Sequence, residues 1–457
     1  MSAAAAKGER TAQQLAEGLV ERARSAGADE ADAVASVSTE SSVTVRMQKV
    51  EKIIEAGSRS VGLRVIMGGR QAVVSTSDIS DAALDETVAR ALELALIAEP
   101  DEFAGLPEAS ETAGSGGSLQ LYDEAIELVT TQDRIDRAMA CEQAALDADE
   151  RISNSDGASF STQVSEMALA NSNGFSGSYP TSSASLSVEV MAAEPDGRLR
   201  NDYWFTSERQ LHRLADGAAV GREAAARALR QLGAEKTSTR QVPVVWEATM
   251  AAGLLGTVAR AADGEAFFRR STFFADREGE AVASSLVTIV DDATLAGQLG
   301  SRPFDGEGIA TRRNVLVEDG VFGSFLFDTY NARRTGRSST GSAVRGVGSL
   351  PGVGTGNLVM AAGATSPEAL IAEVKEGLYL TTLMGFGTNI VTGDFSRGAA
   401  GLWIRDGKLA EPVTEINVSG RLQEMLLAID AVGDDVQWFG STAAPTLRMS
   451  AMMVSGS

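Results

Sequence analysis

Histidine and cysteine are almost absent from this sequence: His212 and Cys141 are the single examples among 457 residues. A zinc site needs three or four protein ligands, drawn mainly from His and Cys with Asp or Glu. The two residues lie in separate predicted helices, and neither has a second His or Cys three to five positions away. The inventory argues against a zinc site formed by this chain alone, and an unpaired cysteine fits a reducing compartment.

The side chains of the common hydrolytic mechanisms are also scarce. A Ser–His–Asp triad would have to use His212, and no Gly-x-Ser-x-Gly segment is present to position its nucleophile. A cysteine nucleophile would have to be Cys141, whose helical setting predicts a small core residue. No phosphate-binding Gly-x-x-x-x-Gly-Lys segment occurs. Acidic pairs at Asp291–Asp292 and Asp434–Asp435 leave two interpretations open, a hard-cation site or ordinary turn and cap residues.

Long apolar runs and positive charge are lacking too. No stretch of eighteen or more apolar residues occurs, so no transmembrane helix is predicted. The opening segment MSAAAAKGERTAQQLAEG has no apolar core of the signal-peptide type. The net charge of −22 repels phosphate backbones. We therefore expect a cytoplasmic protein with neither nucleic acid nor a membrane as its partner.

The patterns that are present predict an α+β fold of two domains, 1–237 and 238–457. The first is expected to mix sheet and helices, and the second to be β-rich, with the polar segment AEKTSTRQ at the boundary. Apolar residues at three- and four-residue spacing indicate helices. The predicted helices span about 9–25, 81–97, 132–149, 208–232, 249–262 and 367–377.

Alternating apolar residues predict the strands. In SSVTVRMQK, Val43, Val45 and Met47 would share one buried face. Further strands are expected at 61–67, 71–76 and 242–246, and a long surface loop at 99–118. Turn signals are predicted at Ser155-Asp156-Gly157, at Asn173-Gly174 and at Pro195-Asp196-Gly197, and hairpin turns at Asp319–Gly320 and Asp406–Gly407.

Several segments of the second half resemble the TldD/PmbA family. They are FRRSTFFADREGEAV (268–282), RPFDGEG (302–308), TYNARRTGRSSTG (329–341), LMGFGTNIVTGDFSRGAAGLWIRDGKLAEPVTEINVSG (383–420) and AVGDD (431–435). The TGDFSRGAAG-W segment is similar to the TldE (PmbA) branch rather than to TldD. The first half agrees more loosely, through GADEADA, SRSVGLRV and RISNSDGASF. The resemblance covers essentially the whole chain.

The resemblance implies that the zinc belongs to another chain. The TldD branch carries His-Glu-x-x-x-His on the first helix of its C-terminal domain and a cysteine further downstream. The matching window here is GLLGTVARAADG (253–264), with Gly256, Thr257 and Ala261 about where His, Glu and His would be, and the downstream cysteine is absent too. No metal or catalytic residue is therefore predicted in this chain.

What the family implies is a heterodimer in which TldD binds zinc and hydrolyses unfolded peptides, while TldE completes the enclosed path to the active site. Family roles include maturation of a microcin precursor and degradation of an antitoxin. Two further hypotheses stay open. The chain could be a self-sufficient metallopeptidase with an unrecognised site, or a homodimeric peptide-binding protein acting without TldD.

Two loops are predicted to face the peptide or the partner chain, without doing bond-making chemistry. The candidates are Thr392, Gly393, Asp394, Phe395, Ser396 and Arg397 in the first loop, and Ser339, Thr340 and Gly341 in the second. Exposed strand edges can hold an extended peptide through main-chain hydrogen bonds. The alternative for both loops is a purely structural turn, with Asp394 accepting from the N–H groups of its own loop. In FDGEG, Asp305 is expected to anchor a tight turn.

Overall fold

The fold is α+β, as predicted, in a computed structural model that describes residues 10–112 and 118–456. The elements of the first half are α1 (Ala12–Ser25), β1 (Glu30–Arg46), β2 (Lys49–Met67), β3 (Arg70–Thr76), α2 (Asp81–Ile97), α3 (Glu124–Glu127), α4 (Thr131–Leu146), β4 (Ile152–Asn171), β5 (Ser176–Ala193), β6 (Leu199–Glu208) and α5 (Gly217–Leu229). Short 3-10 turns occur at Ala109–Glu111 and Leu211–Arg213.

The strands of the first half form an antiparallel sheet in the order β3-β2-β1-β4-β5-β6. Helices α1 and α2 pack on one end of a sheet face, where Ala33 is buried, and α4 and α5 pack on the other end, where Val43 and Val45 are buried. Alternate residues of a strand point to the same face of the sheet, and these three residues of β1 are an even number of positions apart. Both helix pairs therefore cover the same face. Asp32 and Val34 therefore lie on the opposite, helix-free face.

The second half is built from short strands and helices around one large apolar core. Its elements are β7 (Arg240–Trp246), α6 (Ala248–Ala261), α7 (Gly264–Phe268), β8 (Ile289–Asp292), β9 (Arg313–Glu318), β10 (Val321–Phe322), α8 (Thr329–Thr335), β11 (Ala343–Val344), β12 (Gly352–Val353), β13 (Leu358–Met360), α9 (Pro367–Ala372), β14 (Glu376–Met384), β15 (Asp394–Arg405), β16 (Lys408–Arg421), α10 (Leu422–Leu427), β17 (Ile429–Val432), β18 (Gln437–Phe439), β19 (Thr442–Ala444) and β20 (Leu447–Ser455).

Two larger sheets of this half enclose helix α6. Their strand orders are β16-β15-β14-β7-β20-β17 and β10-β9-β8-β13-β19-β18, and a short pair joins β11 to β12. Helix α6 contacts β7 and β14 of the first of these sheets and β13, β18 and β19 of the second. Its apolar residues recur at helical spacing, which is why the helix is buried along most of its circumference.

The two halves meet on the helix-free face of the first sheet. Gly62 of β2 approaches the second half so closely that an added Cβ would lie 1.6 Å from the Val347 carbonyl oxygen. The ring of Phe304 stacks edge-on against Phe175 and Tyr179, with centroid separations of 5.0 and 5.1 Å. The Val347 backbone leaves no room for a larger residue at position 62.

The Gly62→Ala variant is expected to lose about 1–3 kcal/mol of stability, because backbone must move to accommodate the methyl group. Chemical denaturation monitored by tryptophan fluorescence measures the change. Gly18→Ala is the matched control, since it lies in α1 with no atom within 4 Å of the added Cβ. It should stabilise the chain slightly through helix propensity. Equal stability of the Gly62 variant and the wild type would contradict the observed packing of the two halves.

The predicted helix at 208–232 is wrong over its first third. Residues up to Glu208 instead pair with β5, and Leu211–Arg213 form a 3-10 turn whose Leu211 N–H donates to the Asp123 carboxylate. The helix begins only at Gly217, where the Asp216 side chain accepts from the Ala219 N–H. A capping residue thus sets the boundary, and His212 is outside the α-helix in which it was predicted.

Three other boundaries differ from prediction. Met47 is not on the buried strand face: it lies in the β1–β2 turn with φ 49°, held by the Glu142 carboxylate, which accepts from its N–H. Ser155-Asp156-Gly157 is a bulge within β4 rather than a turn. The helix predicted at 367–377 ends at Ala372, because β14 begins at Glu376.

Several other predicted elements agree with the structure, although the strand predicted at 61–67 is the end of β2, which begins at Lys49. Helix α2 has the predicted bounds, α4 and α6 agree within three residues, and the hairpin turns at Asp319–Gly320 and Asp406–Gly407 are confirmed. The turns at Asn173–Gly174 and around Gly197 are confirmed as well. Residue 9 of the first predicted helix and residues 113–117 of the predicted loop lie outside the described residues.

The boundary predicted after residue 237 falls between α5 and β7. Within the described ranges, no helix combines the length and apolarity needed to cross a bilayer.

Candidate functional site

Helix α6 contains Gly256, Thr257 and Ala261, which correspond to the zinc-binding positions that the resemblance implies for the TldD branch. Gly253 and Gly256 lie on its open side, where a Cβ added to either residue would have no atom within 4 Å. The Thr257 hydroxyl donates to the Gly253 carbonyl, 3.3 Å away. Ala261 is fully buried. None of these side chains can ligate zinc, and the described residues contain no group of three or more His, Cys, Asp or Glu suited to a metal ion.

The single histidine and cysteine lie in the first half, away from α6 in sequence and in separate elements. His212 is exposed in its 3-10 turn. Cys141 is fully buried on α4, and this burial raises the pKa of its thiol to about 12. A thiol with that pKa stays protonated at neutral pH, so Cys141 is suited neither to nucleophilic attack nor to metal binding.

Three of the four carboxylates in the acidic pairs accept hydrogen bonds from the chain itself. The Asp291 carboxylate accepts from the Gly356 N–H at 2.7 Å, and Asp292 accepts from the backbone N–H and the hydroxyl of Thr294. Asp435 accepts in the same way from both donors of Thr446. These oxygens are occupied by the chain's own donors, which favours the structural interpretation over a cation site.

The second candidate loop is a closed turn over the end of a buried segment. The Thr340 N–H donates to the Phe327 carbonyl at 3.0 Å, and the Thr340 hydroxyl accepts from the Phe327 N–H at 2.8 Å. Ser339 is buried, and its hydroxyl donates to the same carbonyl. Gly341 has φ 70°, and an added Cβ would lie 2.5 Å from the Ala310 carbonyl oxygen. The contacts of this loop are internal, as the structural alternative expects.

The first candidate loop leads into strand β15, with its side chains alternating between surface and core. Thr392, Asp394 and Ser396 are exposed, whereas Phe395 is buried and its ring lies 5.9 Å from that of Trp246. Gly393 has φ 83°. The Phe395 side chain is therefore a core residue, and the exposed ones are available for contacts.

Asn389, rather than Asp394, satisfies the N–H groups of this loop. The Asn389 side-chain oxygen accepts from Val391 N–H at 2.8 Å and from Thr392 N–H at 3.3 Å. Asp394 instead accepts from the Thr392 hydroxyl at 2.7 Å. The backbone of the loop is also tied to the core, since Phe273 N–H donates to the Ile390 carbonyl at 2.8 Å. These hydrogen bonds fix the backbone of the loop, and the loop together with β15 is called the platform below.

This platform presents exposed apolar side chains that the sequence prediction did not include. Phe386 is fully exposed, at 102% of its reference area, and Met384 and Val391 are 47% and 52% exposed. Large apolar groups clustered on one exposed loop are typical of protein interfaces. No local sequence pattern marked Phe386 as exposed, because Phe386 and Phe395 are both phenylalanines near glycine.

A buried ionic cluster joins the two halves and was also missed. Asp32 lies between Arg64, which donates through Nε and Nη2, and Arg345, whose Nη1 lies 2.6 Å from Asp32 Oδ1. All three side chains are no more than 5% exposed. Burial raises the pKa of Asp32, but the attraction of Arg345 and Arg64 outweighs it and holds the pKa below its usual value. The sequence feature that indicated buried charges was a charged residue within each apolar strand segment, Asp32 in EADAVAS and Arg64 in VGLRVIM.

Asp305 anchors its turn as predicted, and a second buried acid lies beside it. Asp305 accepts from the N–H groups of Glu307, Ile309 and Ala343 at 2.9 to 3.0 Å. Glu307 is 2% exposed and accepts from the Thr329 N–H at 2.8 Å. Burial first, and the Asp305 charge second, raise the pKa of Glu307 to about 7. Burial also raises the pKa of Asp305, to about 6.

Comparison with known proteins places these features in a family. Sequence profiles of the PmbA/TldA metallopeptidase match this chain in three parts: domain 1 at 31–95, the central domain at 124–232 and the C-terminal domain at 239–456. The metalloprotease PmbA homolog of Haemophilus influenzae is 36% identical over 96% of this chain and 94% of its own length. Metalloprotease PmbA of Escherichia coli O157:H7 is 34% identical over 94% and 92%.

A solved structure shares the fold of this chain. A Bacteroides thetaiotaomicron protein named for a candidate role as modulator of DNA gyrase superposes with a TM-score of 0.90. It is 28% identical to this chain, and the match covers 97% of this chain and 99% of the other. The profiles span most of the sequence, and the PmbA relatives match nearly end to end. This chain therefore belongs to the PmbA/TldD metallopeptidase family.

Proposed function

We propose that this chain is the non-catalytic, TldE-type subunit of a cytoplasmic two-chain zinc peptidase that cleaves unfolded peptides. A TldD-type chain would supply the zinc and the catalytic residues. The observation that carries the proposal is helix α6, where the TldD branch has zinc ligands and this chain has Gly256, Thr257 and Ala261. Peptide hydrolysis by this family chemistry needs a zinc-activated water, and this helix offers nothing to hold the ion.

The platform of β15 and its preceding loop supports a role in binding another chain. Thr392, Asp394 and Ser396 give it polar groups, and Phe386 and Val391 give it apolar ones. An aromatic residue surrounded by smaller contacts is the usual composition of an interface hot spot. The loop backbone is already fixed, so little conformational entropy would be lost when a partner binds.

Mixing experiments test the proposal. The purified chain, a TldD-type protein from the same source and their equimolar mixture are each assayed on casein and on an unstructured peptide. We expect no cleavage by this chain, cleavage by the mixture that a chelator abolishes, and a heterodimer on size-exclusion chromatography. Cleavage by this chain alone would favour a self-sufficient peptidase, and a homodimer unaffected by TldD would favour an independent binding protein. Either result would overturn the proposal.

The Phe386→Ser variant is expected to weaken binding to the TldD-type partner about 30-fold, as loss of a hot spot of about 2 kcal/mol requires. Its thermal stability should match that of the wild type, because the ring makes no core contact. Isothermal titration calorimetry and thermal unfolding give the two quantities. Ile97→Ser is the matched control: Ile97 is 79% exposed at the end of α2. Equal weakening of binding by both variants would show that Phe386 is not part of the interface.

A further inference from the structure

A cavity of about 170 Å³ lies where the helix-free face of the first sheet meets the second half. Its floor is formed by neighbours across β1, β4 and β5, namely Val34, Leu169, Met167 and Tyr179. Phe304 and residues 343–345 cover it from the second half. The volume is roughly ten times the about 10–15 Å³ that one water needs. A small organic group therefore fits between the two halves.

Two polar side chains line this cavity with donors that the chain leaves largely unused. Arg302 makes a single side-chain hydrogen bond among the described residues, a long one of 3.3 Å from Nη1 to the Thr355 carbonyl, and its Nε has no partner there. The Tyr179 hydroxyl has no hydrogen bond to any described residue. Burial raises the pKa of Tyr179, which keeps the hydroxyl protonated and able to donate.

The wall of the cavity carries more positive than negative charge. Arg345 shares its one anionic partner, Asp32, with Arg64. The Nε and Nη2 atoms of Arg345 are buried and have no partner among the described residues, whereas Arg64 uses the same pair of atoms to bind Asp32. The acid at the wall, Asp305, has its oxygens occupied by backbone N–H groups. In a chain of net charge −22, Arg302 and Arg345 thus bring unused buried donors to one wall, although Arg345 is paired with Asp32 and Arg302 lies near the charges of Asp291 and Asp305.

A buried donor without an acceptor is unfavourable. A carboxylate can accept from these donors, since its two oxygens match the planar guanidinium geometry. The remaining wall, with Val34, Leu169 and Phe304, is apolar and suits an aliphatic group. The combination defines one class of ligand, a small carboxylate with an apolar side group.

We propose that this cavity binds such a carboxylate, with its oxygens accepting from Arg302 and Tyr179 and its apolar group packed on Val34, Leu169 and Phe304. The ligand can come from two sources, the C-terminal residue of a peptide or a free aliphatic acid. The inference does not depend on the proposed function, because binding is measured on this chain without a TldD-type partner. An active two-chain peptidase whose cavity binds no carboxylate would overturn this inference alone.

Isothermal titration calorimetry on the isolated chain tests the ligand class with three probes: N-acetyl-leucine, 4-methylpentanoate and N-acetyl-leucinamide. We expect the acids to bind and the amide, which lacks the charge, not to bind. Tighter binding of N-acetyl-leucine than of 4-methylpentanoate identifies a peptide C-terminus as the source, and the reverse order identifies a free acid. Absence of binding by both acids, or equal binding of the amide, overturns the proposal.

Variants of the lining residues test the location. Arg302→Gln should weaken binding of the better acid about tenfold or more, because it removes a charge-assisted hydrogen bond. Tyr179→Phe should also weaken it about tenfold, because its hydroxyl donates to the same charged carboxylate. Arg90→Gln removes an exposed charge from α2 and should leave binding unchanged. Circular dichroism and thermal unfolding establish that each variant is folded. Binding unchanged in both cavity variants would contradict the assigned site.

Discussion

Replacing Asp32 by alanine is expected to lower the free energy of unfolding by about 3–5 kcal/mol, the usual cost of removing one partner from a buried ion pair. The variant would leave the guanidinium groups of Arg64 and Arg345 buried without their shared anion. It would also remove a link between β1 and a residue 313 positions further along the chain. A loss of this size is a large share of the stability of an ordinary protein.

The pH dependence of this loss follows from the lowered pKa of Asp32. A carboxyl whose pKa is lowered on folding contributes stability above its ordinary pKa, and this contribution disappears as the pH falls through the lower folded value. The difference between wild type and variant should therefore be constant from about pH 5 to 8 and shrink only below the ordinary value. Urea denaturation at several pH values measures it.

Asp149→Ala is the matched control for this prediction. Asp149 also pairs with an arginine, Arg151, at 2.8 Å, but both groups are solvent-accessible. Exposed pairs contribute little because water and salt screen them. The control should unfold like the wild type. An Asp32 variant as stable as the control would show that the cluster does not hold the halves together.

Replacing Glu307 by glutamine is expected to stabilise the chain at pH 8, by about 3 kcal/mol, and to have almost no effect near pH 4. The glutamine side-chain oxygen can still accept from the Thr329 N–H, so the hydrogen bond made by Glu307 is retained. What the substitution removes is a carboxyl that must give up its proton in a buried place beside Asp305.

The direction of this stability change follows from the raised pKa of Glu307, about 7 in the folded chain. Below the ordinary pKa of a glutamate, the folded and unfolded states are both protonated, and the stability is at its full value. As the pH rises towards 7, the unfolded state releases its proton while the folded state keeps it, so stability falls. Above about pH 7 the loss is complete and constant. The wild type, compared with the variant, should therefore weaken between about pH 4 and 7.

Guanidinium denaturation at about pH 4, 6 and 8 measures this difference. Glu265→Gln provides the control, because Glu265 lines the same 380 Å³ cleft as Glu307 but has a side chain that is 51% exposed. Removing its charge should change stability by the same small amount at every pH. A Glu307 variant whose curve runs parallel to that of the wild type would contradict the raised pKa.

Sequence patterns predicted those parts of the fold that local interactions determine. Helix α2 has the predicted bounds because Ser80 caps it and Leu84, Val88 and Ala91 recur at helical spacing. The start of α5 could not be placed, because the preceding residues are helix formers whose conformation is set by pairing with β5 and by Asp123, far away in sequence. Tertiary contacts overrode local propensity there.

The candidate binding surface around the start of β15 could be predicted only in part. Thr, Gly and Asp between two strands indicate a turn, and this pattern pointed to the polar residues of the segment. The burial of Phe395 and the exposure of Phe386 were not predicted, since both are phenylalanines near glycine and only the packing against Trp246 distinguishes them. For the Asp32 cluster, the charges within the two apolar strand segments were visible in the sequence, but the pairing with Arg345 depends on which strands face the second half.

Elemental analysis of the purified chain shows whether it holds zinc by itself. The chain is saturated with zinc at neutral pH, passed through a desalting column and measured by mass spectrometry of its metal content, with a TldD-type protein treated in parallel. We expect close to one zinc per TldD-type chain and far less than one for this chain. One tightly held zinc per copy of this chain, lost with a chelator, would contradict this expectation.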